Sequence, residues 1–342
     1  MVKYQSKKHG GIVMKKNLLL VIVLALALCL TLTACGNNNA DGEGGATTGN
    51  TNLTMGTGGT SGTYYSFGGA LATVLNNADL GFSIQVTSSG ASGENVKNIG
   101  SGAVQLAILQ NDVLDYAYNG TNTWEGNEPI TNTKVLACLY PEICQIVATA
   151  SSGITCVADL AGKRVSIGDI GSGVETNAKQ ILAAYGLSTD DIKVQNLGFG
   201  DSADAMKNNT LDAVFITAGA PNTAVMDLAT SRDLVIIPVN GAEADALLAD
   251  YPFYAKATIT PDDYSFLSEP VETIAVQATL ICSSDMDDDT AYNIVKGIFD
   301  NAESLATAHE KGKYIDPAYA IQGVSIDFHP GALKYYQEAG VL

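Results

Sequence analysis

The chain contains only two arginines, Arg164 and Arg232, and only 16% of its residues are charged. Acidic residues outnumber basic ones 36 to 18, giving a net charge of −18. A nucleic-acid binder neutralises phosphates with a basic face, so that class is excluded. Steering of an anion by net charge is excluded as well, so any anion site must be built locally. Histidine is scarce: His309 and His329, both near the C-terminus, are the only ones beyond the first 34 residues. A Ser–His or Cys–His catalytic pair would be accidental with that supply. No G-x-S-x-G elbow occurs, which removes the α/β-hydrolase nucleophile. The cysteines show no C-x-x-C spacing and have no histidine nearby, so no zinc site is expected. "SDMDDDT" (284–290) has Thr290 where a calcium loop needs glycine and Lys296 at the twelfth position; it reads as a helix N-cap followed by acids in the first turn.

No apolar run reaches the ~20 residues needed to span a bilayer. The run Leu18 to Leu30 has 13, follows Lys15 and Lys16, and ends in "TLTACG". A charged n-region, a short apolar region and small residues describe an export signal. Leu32-Thr33-Ala34-Cys35 resembles a bacterial lipobox, which implies cleavage before Cys35 and lipidation of its thiol. "MKKNLLL" makes Met14 an alternative start to Met1. Residues 1–34 are read as the signal and 35–51 as a tether, because "GNNNADGEGGATTGNTN" is Gly/Asn/Thr-rich without an apolar anchor. Loss of the signal leaves 13 basic and 36 acidic residues, a net charge of −23. The expected location is extracytoplasmic, at a membrane lipid anchor. There Cys138, Cys144, Cys156 and Cys282 are either buried free thiols or disulfides in one of three pairings.

Hydrophobic residues make up 46% of the chain, enough for a sizeable core. Short apolar runs alternate with helical patterns from Leu53 on, which predicts α/β architecture with mainly parallel sheets. "KVLACLY" and "CQIVATA" read as two separate apolar runs. About 290 structured residues exceed one comfortable core, so two lobes are expected.

Four loops follow strands and open helices. "MGTGGTSGTYY" nearly fits G-x-G-x-x-G, but Ser61 stands at the third glycine, no lysine follows, and no acid ends the next strand. Nucleotide binding is therefore set aside. "GDIGSGVETNA" repeats the arrangement, and its Ser172-x-x-Glu175 matches a capping box. "TSSGASGENV" (87–96) and "FITAGAPNTAV" (215–225) are the others; Pro221 suits a first helical position. In open α/β sheets ligands bind beyond the carboxyl ends of strands, where helix N-termini offer free N–H groups to an anion. Arg164 and Arg232 read as structural. Backbone N–H groups with Ser, Thr and Tyr hydroxyls are the expected holders of a carboxylate.

"MGTGGTSGTYYSFGGALATVLN", "LAILQNDV", "LYPEICQIVA", "VADLAGKRVSIGDIGSGVETNAKQILAAYGL", "LDAVFITAGAPNTAV" and "DFHPGALKYYQEAG" resemble the TAXI family, the solute receptors of one class of TRAP transporters, over roughly residues 52–340. The resemblance implies an α/β, two-lobe type II periplasmic-binding-protein fold with a hinge and an interlobe ligand cleft. It implies lobe 1 at 52–142 plus 275–342 and lobe 2 at 143–274. It also implies a monomeric receptor without cofactor, metal or enzymatic activity. The implied ligand is a small carboxylate such as glutamate, delivered to TRAP permease subunits that are often fused. Carried over by motif, the site is Ser61, Gly62, Thr63, Tyr64, Asn95, Gln110, Ser172, Gly173, Thr176, Ala218, Gly219 and Pro221. The family commonly has Thr where this chain has Val174, so ligand identity does not transfer. The alternatives are a receptor of the same fold serving an ABC importer or a sensor, an exported enzyme, and a surface adhesion protein.

Overall fold

The computed structural model describes residues 51–342. The signal and lipobox readings, Cys35 included, and all of the tether but Thr51 lie outside the described residues. The elements are β1 Thr51–Gly56, α1 Thr63–Asn77, β2 Phe82–Thr87, α2 Ser92–Gly100, β3 Leu106–Gln110, α3 Asn111–Asn119 and β4 Thr133–Thr149. Then come β5 Arg164–Ser166, α4 Gly173–Ala184, β6 Lys193–Gln195, α5 Phe199–Lys207, β7 Ala213–Ala218, α6 Thr223–Ala229, β8 Leu234–Ile237, α7 Gly241–Asp250 and β9 Ala255–Ile259. The chain closes with β10 Val271–Ser283, α8 Asp288–Asp300, α9 Ala302–Ala308, α10 Pro317–Ala320 and α11 Pro330–Glu338. Among the described residues no helix is long and apolar enough to cross a membrane.

The helices form for local reasons. Along α1 the buried Phe67, Leu71 and Leu75 recur at four-residue spacing, one stripe facing the sheet. The acid-rich turn at 284–290 caps α8 as expected: the Asp287 carboxylate accepts the Thr290 N–H at 2.8 Å, and Asp288 and Asp289 fill the first turn.

All ten strands belong to one sheet, ordered β2-β1-β3-β10-β4-β7-β5-β6, with β8 also on β4 and β9 also on β10. The expectation of a mainly parallel sheet is corrected. The β1–β2, β1–β3, β5–β6 and β5–β7 pairs are parallel, but β4 and β10 pair antiparallel with every strand they adjoin; β4 adds one isolated parallel bridge, Val135 to Phe328. The two apolar runs at 134–150 are one strand of 17 residues, well beyond the usual 5–6. That length is explained by where β4 goes. Two clusters of buried apolar residues draw on 53–140 and 278–336, and two others on 144–276. The antiparallel β4–β10 ribbon runs from one pair of clusters into the other.

The four described cysteines are free thiols; Cys138, Cys144 and Cys282 are buried and Cys156 is exposed. Both arginines are structural: Arg164 forms a bidentate pair with the Asp212 carboxylate, and Arg232 donates to the Lys207 carbonyl.

Asn95, expected at the ligand, has its side chain committed to bonds within the fold. Its buried amide donates to the Thr57 carbonyl at 2.5 Å and the Ile108 carbonyl at 2.7 Å, and it accepts from the Ser89 hydroxyl at 2.8 Å. It ties the loop after β1 to β3 and α2. Asn95→Ala strands two buried carbonyls, at about 1–3 kcal/mol each. The expected outcome is a loss of roughly 2–4 kcal/mol in denaturant unfolding.

Candidate functional site

A cavity of about 240 Å³ lies where the strand ends of both halves face each other. Four helices begin at its wall. Gly62, Thr63 and Tyr64 come from the start of α1, Ala91 and Ser92 from α2, Ser172, Gly173 and Val174 from α4, and Gly198, Phe199 and Gly200 from α5. The caps explain why these ends are available. Gly62, Ala91 and Gly198 make no side-chain cap, and the Ser172 hydroxyl accepts only the Glu175 N–H, at 3.2 Å. First-turn N–H groups are therefore left over, and helix N-termini carry partial positive charge. The capping-box reading needs one adjustment: Glu175 reaches back to the Gly171 N–H at 2.6 Å, one residue before the cap.

The same wall also carries acids, Asp201 in the first turn of α5 among them. Glu142, in the middle of β4, is 2% exposed and lines the cavity. The Tyr64 hydroxyl donates to its Oε2 at 2.5 Å. Burial holds the Glu142 carboxyl well above the ordinary carboxylate range; the Tyr64 bond pulls the other way and nearby Asp112 adds to the rise. Asp169 and Asp201 also line the cavity, and burial with the Asp201 charge raises Asp169. Gln110 Oε1 is buried with no partner. Among the described residues no lysine or arginine lines the cavity. Among the described residues no cluster of three His, Cys, Asp or Glu could hold a metal ion.

Of the twelve residues named from sequence, Ser61, Gly62, Thr63, Tyr64, Gln110, Ser172, Gly173 and Ala218 line this cavity. Asn95, Thr176, Gly219 and Pro221 do not. Thr176 is buried along α4, its hydroxyl 3.4 Å from the Ser172 carbonyl. A Cβ on Gly219 would meet Lys311 and Thr63, so this glycine is a packing position. Pro221 follows a cis bond and precedes the Asn222 cap of α6, outside the helix it was expected to begin. Motif reasoning missed Glu142, Asp169, Ser92, Phe199 and Thr217, which all line the cavity. Glu142 left one signal: a single acid inside a long apolar stretch.

The two sides of the cavity touch at backbone distance. A Cβ on Gly93 would stand 2.2 Å from the Gly171 carbonyl oxygen, and one on Gly173 would stand 1.8 Å from Gln110 Oε1.

The chain belongs to the NMT1-like family, whose model matches residues 55–340. Among solved structures it is similar to PhnD1 from Prochlorococcus marinus (MIT 9301), determined with methylphosphonate: TM-score 0.52, 11% identity, 85% of this chain and 99% of that one. A protein of Bordetella bronchiseptica RB50 aligns at TM-score 0.51 and 17% identity, over 84% of this chain and 82% of that one. The periplasmic aliphatic sulphonate binding protein SsuA from Escherichia coli aligns at 0.48 and 15%, over 85% and 84%. The fold is a mixed α/β, two-lobe periplasmic-binding-protein-like fold.

Gly93→Ala places a methyl group against a backbone carbonyl that cannot rotate away. Overpacking of this kind costs about 1–3 kcal/mol, roughly a 10- to 100-fold change. The expected outcome for Gly93→Ala is a loss of about 1–3 kcal/mol in denaturant unfolding followed by circular dichroism.

Proposed function

We propose that this NMT1-like family member is an extracytoplasmic solute receptor, and not an enzyme, that closes on a small solute bearing both an anionic group and an amine. One observation carries this reading. The cavity joins four helix N-termini to a buried carboxyl, with no basic side chain in its wall. The N-termini suit a carboxylate or a comparable anion. The Glu142 carboxyl is an acceptor in that wall, and it suits an N–H donor on the same solute. A small amino acid related to glutamate has both ends. The division into 52–142 plus 275–342 and 143–274 is supported by the four core clusters, and the ligand sits between those two parts.

The receptor delivers its solute to a membrane importer, which we assign to the ABC class. The similarity to solved binding proteins is compatible with that assignment, although the fold itself is common to both importer classes. The second reading is a TRAP permease, favoured by the motif resemblance to TAXI receptors. Reconstituted uptake separates them: ATP drives the first and an ion gradient the second. Membrane attachment through Cys35 is part of the proposal, and mass spectrometry of the purified N-terminus tests it.

Mass spectrometry of the co-purified solute tests the ligand class. A solute amine meeting a protonated Glu142 favours its carboxylate form, so binding releases a proton. Within the closed form, the Glu142 contribution to affinity then grows as pH rises towards the raised Glu142 pKa and levels off above it. Glu142→Gln removes a charge-assisted bond worth about 1.5–3 kcal/mol, roughly a 10- to 100-fold loss for amino acids. Calorimetry in buffers of different ionisation enthalpy measures both effects. Unchanged affinity in Glu142→Gln, with no proton released by the wild type, rejects the amine assignment.

A further inference from the structure

Beside the cavity lies a buried polar cluster that no ligand reading uses. From one side come Asp112 and Tyr116 on α3, in the half built from 53–140 and 278–336. From the other come Asn177 and Gln180 on α4 and Tyr254 before β9, in the half built from 144–276. Asn177 Nδ2 donates to Asp112 Oδ2 at 2.9 Å and to the Tyr254 hydroxyl at 2.7 Å. That hydroxyl donates to Gln180 Oε1 at 2.6 Å, and Gln180 Nε2 donates to the Tyr116 hydroxyl at 3.1 Å. Every one of these bonds except Asn177–Tyr254 and Tyr254–Gln180 crosses between the two halves. All five residues are buried, and none lines the cavity.

The cluster is linked to the cavity through one side chain. Gln110 Nε2 donates to Asn177 Oδ1 at 2.9 Å, and Gln110 is also a lining residue of the cavity, its unpartnered Oε1 buried against Gly173. We propose that this cluster is a second closure site, a latch that holds the two lobes together independently of ligand and opens when Asp112 loses a proton. The inference rests on the two-lobe fold and the cross-lobe bonds, not on the identity of the solute.

The surroundings of Asp112 explain the proton dependence. Asp112 Oδ1 accepts the Val113 N–H at 2.8 Å, and Oδ2 accepts from Asn177. The other titratable groups around it are Asp115 and Tyr116 on α3, Glu142 and Cys144 on β4, and Tyr254. None of them supplies positive charge. Burial therefore pushes the Asp112 carboxyl up to about 7 in the closed form. Once the lobes part, water reaches the group and its pKa returns to about 4. The closed form holds the proton more tightly, so acid favours closure. Between pH ~4 and ~7 the closed-to-open ratio falls by up to about tenfold per pH unit on account of Asp112, and above ~7 this contribution is flat. Glu142, which faces Asp112 and is itself raised, adds a step of its own in the same direction.

The test uses the purified protein stripped of solute, with small-angle X-ray scattering from pH 4 to 8 reporting the closed fraction. The wild type is expected to open as pH rises. Asp112→Asn is expected to lower the number of protons linked to opening by about one, whereas Glu142→Gln keeps the Asp112 step. Asn177→Ala removes the centre of the cluster and is expected to shift the protein to the open form across the range while melting as a folded protein by circular dichroism. Three results each overturn the latch: a wild-type closed fraction that does not change with pH, Asp112→Asn with the wild-type proton number, or Asn177→Ala closing as the wild type does.

Discussion

The fold turns on a ribbon that two cores share. β4 and β10 pair along their length, from Thr133 opposite Ser283 to Ile143 opposite Ala275. At one end β10 pairs with β3, which adjoins β1; at the other, β4 pairs with β7 and β8. A strand that leaves one core and enters another has a stretch that belongs to neither. On β4 that stretch lies between Tyr140, packed in the first core, and Cys144, packed in the second. Glu142 occupies it, and the cavity opens there. The crossing between the two cores and the cavity wall thus share Glu142. A solute touching Glu142 contacts the element about which the halves would swing.

The ribbon also accounts for where positive potential arises in the cavity of so acidic a protein. With a net charge of −18 and both arginines committed to structural bonds, positive potential has to come from the backbone. The ribbon brings the carboxyl ends of parallel strands from both halves to one place, so the helices that follow them start there. Three of the four starts have caps without side-chain bonds, which leaves first-turn N–H groups for a ligand. Each helix end contributes modestly, about 0.3–1 kcal/mol and more when partly buried. Only their convergence makes a site. A solute anchored by N–H groups of both halves also has an affinity that depends on closure.

Much of this was legible in the residue order, because strand, small-residue loop and helix leave local marks. The loop at 56–62 and the loop at 168–173 were readable from glycine spacing and a helical stripe, and both reach the cavity. What could not be read was non-local. "LYPEICQ" looks like a break because Pro141 and Glu142 interrupt two apolar runs. Yet Pro141 pairs with Gln277 inside a continuous strand, and only the partner strand reveals that. Asn95 and Thr176 lie in the right loops and helices but point into the fold; a motif fixes the neighbourhood of a residue, not which way its side chain is turned. Asp112 sat in a helix pattern indistinguishable from a solvated face, since its burial is imposed by α4, more than sixty residues on.

That long-range imposition has a consequence for closure itself. Gln110 has two ends in two environments: Nε2 is used by Asn177, and Oε1 has no protein partner. A buried amide oxygen without a donor costs about 1–3 kcal/mol. In the closed, empty protein that cost is borne by a side chain already held by the cross-lobe cluster. The cluster thus fixes a residue of the cavity wall from behind: Asn177 holds Gln110 through Nε2, and turning the amide over to satisfy Oε1 would break that cross-lobe bond.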